Sequence, residues 1–374
     1  MRLLHLSFQD FRNLACVELA PSEHATIAVG PNGQGKTNLL EGLFFLATLK
    51  PLRASRLSEL VRFGAERARV EGQFLLGGAR RQIGVEVSRG VRQAFVDGKK
   101  ASSLEEYFGG VAVVAFTPDD LEVVKGGPDQ RRQFLDRAVF NRFPAYLRES
   151  RTYARALKGR NRLLKERVAP EYLESWDQTL ASTGARLWTR RRALLSELVP
   201  RSIAAFAAIG RTVEPASYSY APLHLDADFA ADDEAELSRA LYQSLWARRG
   251  RDLERGFTSV GPHADDLEIR LGEHLARTFA SQGQQRALVL GWKIAEIENL
   301  QAALGFLPLL LLDDVSSELD PERNAYLMEY LARSGAQVFL TTTEPGLVRR
   351  AAGEDSHWYR VHSGEVERTS AAGA

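Results

Sequence analysis

Residues 30–37, Gly-Pro-Asn-Gly-Gln-Gly-Lys-Thr, spell a complete G-x-x-x-x-G-K-[ST] loop, and few short strings constrain a fold as tightly. Such a loop works where a buried strand ends and a helix begins, and its flanks supply both. An apolar run at 24–29 precedes it, and 38–47 reads as a helix. Gly30, Gly33 and Gly35 let the backbone turn its N–H groups inward, an anion nest at a helix N-terminus. Pro31, Asn32, Gln34 and Asn38 complete the phosphate cradle around them. Lys36 brings a positive charge to the outer phosphates, and the Thr37 hydroxyl suits Mg²⁺. The pattern implies a nucleoside triphosphate, ATP or GTP, on an α/β sheet.

The rest of the chain organises around that unit. Residues 1–116 are punctuated into short apolar or alternating runs at 2–8, 24–29, 70–76, 82–87, 93–96 and 111–116, read as strands. From about 129 to 255 strand runs give way to Arg, Leu, Ala and Glu. Helical spacing is plain from Pro170 to 199. After 257 strands return at 266–271, 275–280, 308–313, 337–342 and 357–361, with helices at 284–304 and 321–333 between them. The expected architecture is an α/β head of 1–118 plus 257–374 with a mostly helical arm, 119–256, inserted; residues 369–374 are expected to fray. Charge is balanced, 49 Lys and Arg against 48 Asp and Glu, so net charge names no partner. The single Cys16 excludes an internal disulfide and suits a reducing, cytoplasmic setting. No apolar run approaches the roughly 20 residues of a membrane span, so no membrane partner is expected.

A second half of the nucleotide site lies far along the chain. Leu309–Leu312 followed by Asp313 and Asp314 reads as a buried strand delivering two carboxylates. Asp313 is expected on Mg²⁺, and Asp314 as the general base or water-positioning group, with Lys36 the other catalytic residue. Ala280-Ser281-Gln282-Gly283-Gln284-Gln285-Arg286 opens a helix and is similar to the Leu-Ser-Gly-Gly-Gln signature of ABC-type ATPases. That likeness implies that Ser281, Gly283 and Gln284 of one chain close over the nucleotide of another. The same residues also read as an ordinary helix cap.

Lys36 and Ser281 are 245 positions apart. A transporter ATPase would carry its signature much closer, and an SMC-type protein would fill the gap with long heptad coiled coil, which is missing here. Further strings narrow the choice. They are Phe11-Arg12-Asn13-Leu14, Gly33–Glu41, Phe116-Thr-Pro-Asp-Asp-Leu121, Gly127-Pro128, Arg131-Arg132 with Phe134-Leu-Asp136, Lys158 with Arg160-Asn161, and Gly261-Pro-His-Ala-Asp-Asp266. Together they resemble the RecF family of bacterial recombination mediators, almost end to end. The resemblance implies an ATP-dependent DNA-binding protein that forms a homodimer on ATP and hydrolyses it slowly. It implies preference for double-stranded DNA or its junction with single strands, and work with RecR and RecO in helping load RecA. Competing readings are a membrane transporter's ATPase subunit and a nucleotide-gated protein scaffold.

Some positions depart from the wider ABC pattern. Asp314 stands where transporters have Glu, which predicts slow turnover. Thr341-Thr342-Thr343 stands where a switch histidine is expected, Gln282 takes a glycine position, and Thr117–Asp120 roughly replaces the glutamine that senses γ-phosphate. Arg12 and Asn13 are placed to reach the nucleotide. For DNA, residues 131–167 hold twelve Lys or Arg and three acids. Arg148, Arg151, Arg155, Lys158, Arg162 and Lys165 would form one helical stripe about 25 Å long. The alternative is that these cations flank a packed face beside Ala154, Leu157 and Leu164 and pair with the acidic run 226–236, with Gly159 breaking the helix. Aromatics do not interleave with the cations, which favours backbone over base reading. His263, Asp265 and Asp266 read as a turn entering a strand as well as they read as metal ligands.

Overall fold

The computed structural model describes residues 1–53, 56–121, 123–210, 214–224 and 233–371, with only the backbone of Leu121, Arg350 and Ala351. The strands in chain order are β1 Arg2–Phe11, β2 Leu14–Leu19, β3 Ala25–Val29, β4 Arg67–Leu76, β5 Ala79–Ser88, β6 Val91–Val96, β7 Lys99–Lys100 and β8 Val113–Phe116. They continue with β9 Ala216–Ala221, β10 Asp266–Leu271, β11 His274–Leu275, β12 Leu309–Asp313, β13 Val338–Thr342, β14 His357–His362 and β15 Glu365–Thr369. The helices are α1 Lys36–Thr48, α2 Leu104–Phe108, α3 Pro118–Leu121, α4 Pro128–Arg142, α5 Tyr146–Lys165 and α6 Glu174–Gly210. After them come α7 Glu234–Arg255, α8 Ala276–Phe279, α9 Gln282–Leu304, α10 Val315–Glu318, α11 Pro321–Ser334 and α12 Pro345–Ala352.

The chain divides into two compact units, Met1–Leu121 with Glu296–Ala374, and Glu122–Ala295. In the first, an antiparallel sheet ordered β2-β1-β4-β5-β6-β7 and a second sheet ordered β15-β14-β3-β13-β12-β8 enclose α1. Four neighbouring pairs of the second sheet, β14-β3, β3-β13, β13-β12 and β12-β8, run parallel. Of these, β3, β8, β12 and β13 are buried along their whole length, covered on both faces. Helix α1 meets both sheets, so it is apolar nearly all round, with Leu39, Leu43, Phe45 and Leu46 buried. A Cβ on Gly42 would stand 2.3 Å from the Phe8 ring, so only glycine lets α1 approach β1 this closely.

In the second unit, α5, α6 and α7 pack together beside a small sheet ordered β11-β10-β9. Glycines again set the spacing. A Cβ on Gly291 of α9 would fall 2.9 Å from the Phe206 backbone nitrogen of α6.

The sequence reading needs several corrections. Strands β2, β7, β9 and β15 are missing from it. In place of the strand read at 275–280, His274–Leu275 form the two-residue β11, paired with β10, and Ala276–Phe279 form α8. Helix α6 runs through Pro200 to Gly210 instead of ending at 199. Residues 257–295 belong to the second unit, since β10 pairs with β9 and packs on α4, so the return to the head comes at Glu296. Gly159 does not interrupt α5. It makes room for Trp176, whose ring would lie 2.7 Å from a Cβ there. By length and hydropathy alone the helical stretch Pro170–Gly210 would also pass as a membrane span. Its Leu194, Leu198 and Phe206 are core residues of the second unit. Residues 372–374 of the expected frayed end, and 226–232 of the acidic run, lie outside the described residues.

Candidate nucleotide site and neighbouring surfaces

Three parallel strands end side by side. Thr342 of β13 pairs with Val29 of β3, and Thr341 with Asp313 of β12, so the glycine loop, the threonines and the acid pair share one edge. In parallel α/β sheets that carboxyl edge is where ligands sit. The loop is shaped by what crowds it. A Cβ on Gly30 would lie 2.3 Å from the Val361 carbonyl oxygen, and one on Gly35 2.7 Å from Asn13 Oδ1. Gly33 and Gly35 have φ of +79° and +114°, which side chains resist. Pro31, Asn32 and Gly33 form the exposed rim.

Lys36 lies back over the loop, its Nζ donating to the carbonyls of Gly30 at 2.5 Å and Pro31 at 2.9 Å. Burial pulls its pKa below the ordinary lysine value, and Asp314 and Asp313 oppose that shift. The Thr37 hydroxyl donates to Asp313 Oδ1 at 2.8 Å, and Thr341 Oγ1 donates to the same oxygen at 2.9 Å. The Arg53 guanidinium stands 2.7 Å from Asp313 Oδ2, held by charge rather than by a directed hydrogen bond. Asp314 has φ of +50°, and its N–H donates to Thr341 Oγ1 at 3.0 Å. Its Oδ1 is buried without a hydrogen-bond partner. Burial raises the Asp314 pKa, with the Thr343 N–H and Lys36 pulling the other way.

These residues suit Mg²⁺. Thr37 and Asp313 bring two hard oxygens within hydrogen-bond distance of each other, the small protein share that Mg²⁺ needs beside phosphate oxygens and water. No cluster of three His, Cys, Asp or Glu exists among the described residues, so a phosphate-free metal centre has no candidate ligands there.

Arg12 and Asn13, expected to reach the nucleotide, are both hydrogen-bonded within the protein. Arg12 donates to both Glu41 carboxylate oxygens, at 2.8 and 3.3 Å, and to the Glu59 carbonyl at 2.9 Å. Glu41 also accepts the Arg53 N–H at 3.1 Å, so one buried carboxylate ties α1 to the segment carrying Arg53. Asn13 donates to the Gln34 carbonyl at 3.0 Å and accepts from Asn38 at 2.8 Å, bracing the loop. The Gln34 side chain accepts the Ser363 N–H at 2.8 Å. Thr117 and Asp120 close a turn on themselves, the Thr117 N–H donating to Asp120 Oδ2 at 3.0 Å. Sequence reasoning overlooked Arg53, Glu41 and the anchoring role of Thr341. Each acts across the fold; Thr341 and Glu41 stood inside strings already singled out, and Arg53 in none.

In the second unit, Ser281 caps α9. Its Oγ accepts the Gln284 N–H at 3.2 Å, and Gln284 Oε1 accepts the Ser281 N–H at 2.9 Å, a reciprocal capping box. Ser281 is exposed, and Gly283 and Gln284 half-exposed. Helix α5 is continuous, and its packed face is Tyr146, Leu147, Tyr153, Ala156, Arg160 and Leu164. Arg148, Arg155, Lys158, Arg162 and Lys165 are exposed and Arg151 half-buried. Among the described residues the one ion pair of this stripe joins Arg162 to Glu166 at 3.7 Å. Arg160, by contrast, is buried between Asp177 at 2.6 Å and Asp252 at 2.8 Å. His263 is held by Tyr153 OH at 2.6 Å and the Thr258 carbonyl at 3.0 Å, and burial lowers its pKa. Asp265 accepts from Trp188 at 2.6 Å, and Asp266 pairs with Arg131 at 2.7 Å. The 261–266 string thus builds a buried polar network rather than a metal site.

Residues 2–367 match the RecF/RecN/SMC N-terminal domain family. The DNA replication and repair protein RecF of Myxococcus xanthus (strain DK1622) is 73% identical over 368 residues, covering 98% of this chain and 97% of that protein. A solved structure of the recombination mediator protein RecF with ATP, in the RecFOR pathway, superposes with a TM-score of 0.87. It is 30% identical and covers 98% of this chain and 97% of that one. An Smc head bound to the C-terminal winged-helix domain of ScpA shares the fold at a TM-score of 0.56 and 16% identity, over 99% of this chain and 97% of that one.

Proposed function

This chain belongs to the RecF family of DNA replication and repair proteins, and we propose that it is an ATP-gated DNA-binding switch. The observation that carries this reading is the Thr37 hydroxyl 2.8 Å from Asp313, with Asp314 beside it and Lys36 folded over the loop. Residues 30–38 bind the phosphates through backbone N–H groups, and Lys36 leaves the Gly30 and Pro31 carbonyls to meet them. Thr37 and Asp313 hold Mg²⁺, which when bound neutralises phosphate charge. Asp314 Oδ1 orients the attacking water and accepts its proton. Aspartate is shorter than the glutamate of transporter ATPases, so hydrolysis is slow and serves to end a bound state.

Two copies join head to head on ATP, with Ser281, Gly283 and Gln284 of one contacting the nucleotide of the other. DNA lies on the α5 stripe of the arm, as duplex or at a junction with single strands, and RecR, RecO and RecA are the protein partners. The stripe's exposure supports that surface over the packed-face alternative. Reversing Arg151, Arg155 and Arg162 to Glu is expected to flatten the dependence of log affinity on log salt by about 2 to 3, near 0.9 per lost phosphate contact. An unchanged slope sinks the stripe.

A further inference from the structure

The first unit holds a cavity that nucleotide binding leaves unused. It lies between the C-terminal half of α9 and α11 and has a volume of about 510 Å³, in the range of small-ligand sites. Tyr326, Glu329 and Tyr330 enter it from α11 at i, i+3 and i+4, so they stand side by side on one helix face. Glu298 of α9 and Leu307 also line it. Both tyrosines are half-buried and line the cavity. Among the described lining residues the one cation is Arg333. It lies 3.6 Å from Glu329, and the two side chains are 81% and 68% exposed, so water screens the pair and it yields easily.

The electrostatics agree with the geometry. The Tyr330 hydroxyl is pushed up first by burial and then by the Glu298 carboxylate, and Tyr326 by burial, Glu298 and Glu329. The rings therefore stay neutral phenols in a negative field. Two π faces and two carboxylates form a site for a cation, and they repel phosphates. A guanidinium fits better than an ammonium, because it is less hydrated, stacks flat on aromatic rings and meets a carboxylate with two parallel N–H groups. Leu307 offers apolar contact to a residue beside that cation. We propose that this cavity receives an arginine side chain presented by a short segment of a partner protein. The site is independent of the ATP and DNA readings and lies on other residues.

The test is fluorescence anisotropy of the full chain with a labelled Gly-Leu-Arg-Gly-Arg-Leu-Gly peptide and its twin carrying citrulline for arginine. Saturable binding is expected for the arginine peptide, weakened at least about tenfold by citrulline, by Tyr330→Ala and by Glu298→Gln. Tyr330→Phe, which keeps the ring, is expected to bind like the wild type. Should Tyr330→Ala fail to fold, Glu298→Gln decides. Equal affinity for the citrulline peptide, wild-type affinity in Glu298→Gln, or no saturation at millimolar peptide overturns the proposal.

Discussion

In the proposed mechanism Asp314 is the residue that acts as base. Its backbone is fixed by Thr341, and one of its carboxylate oxygens is buried with no partner. A general base acts only when ionised. Because burial raises this carboxyl above the ordinary value of 3.8, the rate falls as pH drops through that raised pKa. The acid limb therefore begins at higher pH than for an unshifted aspartate. Asp314→Asn is expected to lower single-turnover hydrolysis by about 10²- to 10⁴-fold and to remove that limb, with ATP affinity nearly kept. Quenched-flow measurement across pH checks this, and an unchanged rate removes Asp314 from the chemistry. Its neighbour Asp313 shows what sequence hides. The string Asp313-Asp314 announced a metal carboxylate, but nothing local announced that Arg53 and Thr341 would hold it.

At the scale of elements, period and punctuation carried most of the reading. β3, α1, β12 and β13 were legible because each is an apolar run bounded by a glycine loop, an acid pair or a polar triplet. β9 was not, because Ala216–Ala221 alternates serine and tyrosine inside a stretch rich in helix formers, and it forms a strand through pairing with β10. Residues 275–280 failed in the opposite sense, read as one strand where β11 ends at Leu275 and Ala276–Phe279 form α8. Gly159 left a helix break open as an alternative because its reason, the Trp176 ring, lies outside its own helix. Gly291 has a similar reason in α6. Gly291→Val, which drives a side chain into the Phe206 backbone, is expected to cost about 2 kcal/mol. Urea melting reads this directly, and an undiminished midpoint would mean that α9 and α6 are not in close contact.

At the scale of the whole molecule, the nucleotide edge is assembled from both ends of the chain. β3 comes from the first residues and β12 and β13 from the last third, and the second unit is threaded between them. That interruption displaces Ser281 far from Lys36 in sequence, the spacing that separated this chain from transporter ATPases. The central claim is that the Ser281 segment completes the nucleotide site of a second copy. Ser281 is exposed and its capping bonds are local, so Ser281→Arg is expected to leave ATP binding by one chain intact. Sedimentation velocity of the wild type and this variant, with and without ATP and Mg²⁺, measures the claim most directly. The account predicts a wild-type dimer only with ATP, and a variant that binds ATP and stays monomeric. A wild type that remains monomeric with ATP, or a variant that dimerises as well as the wild type, would contradict it.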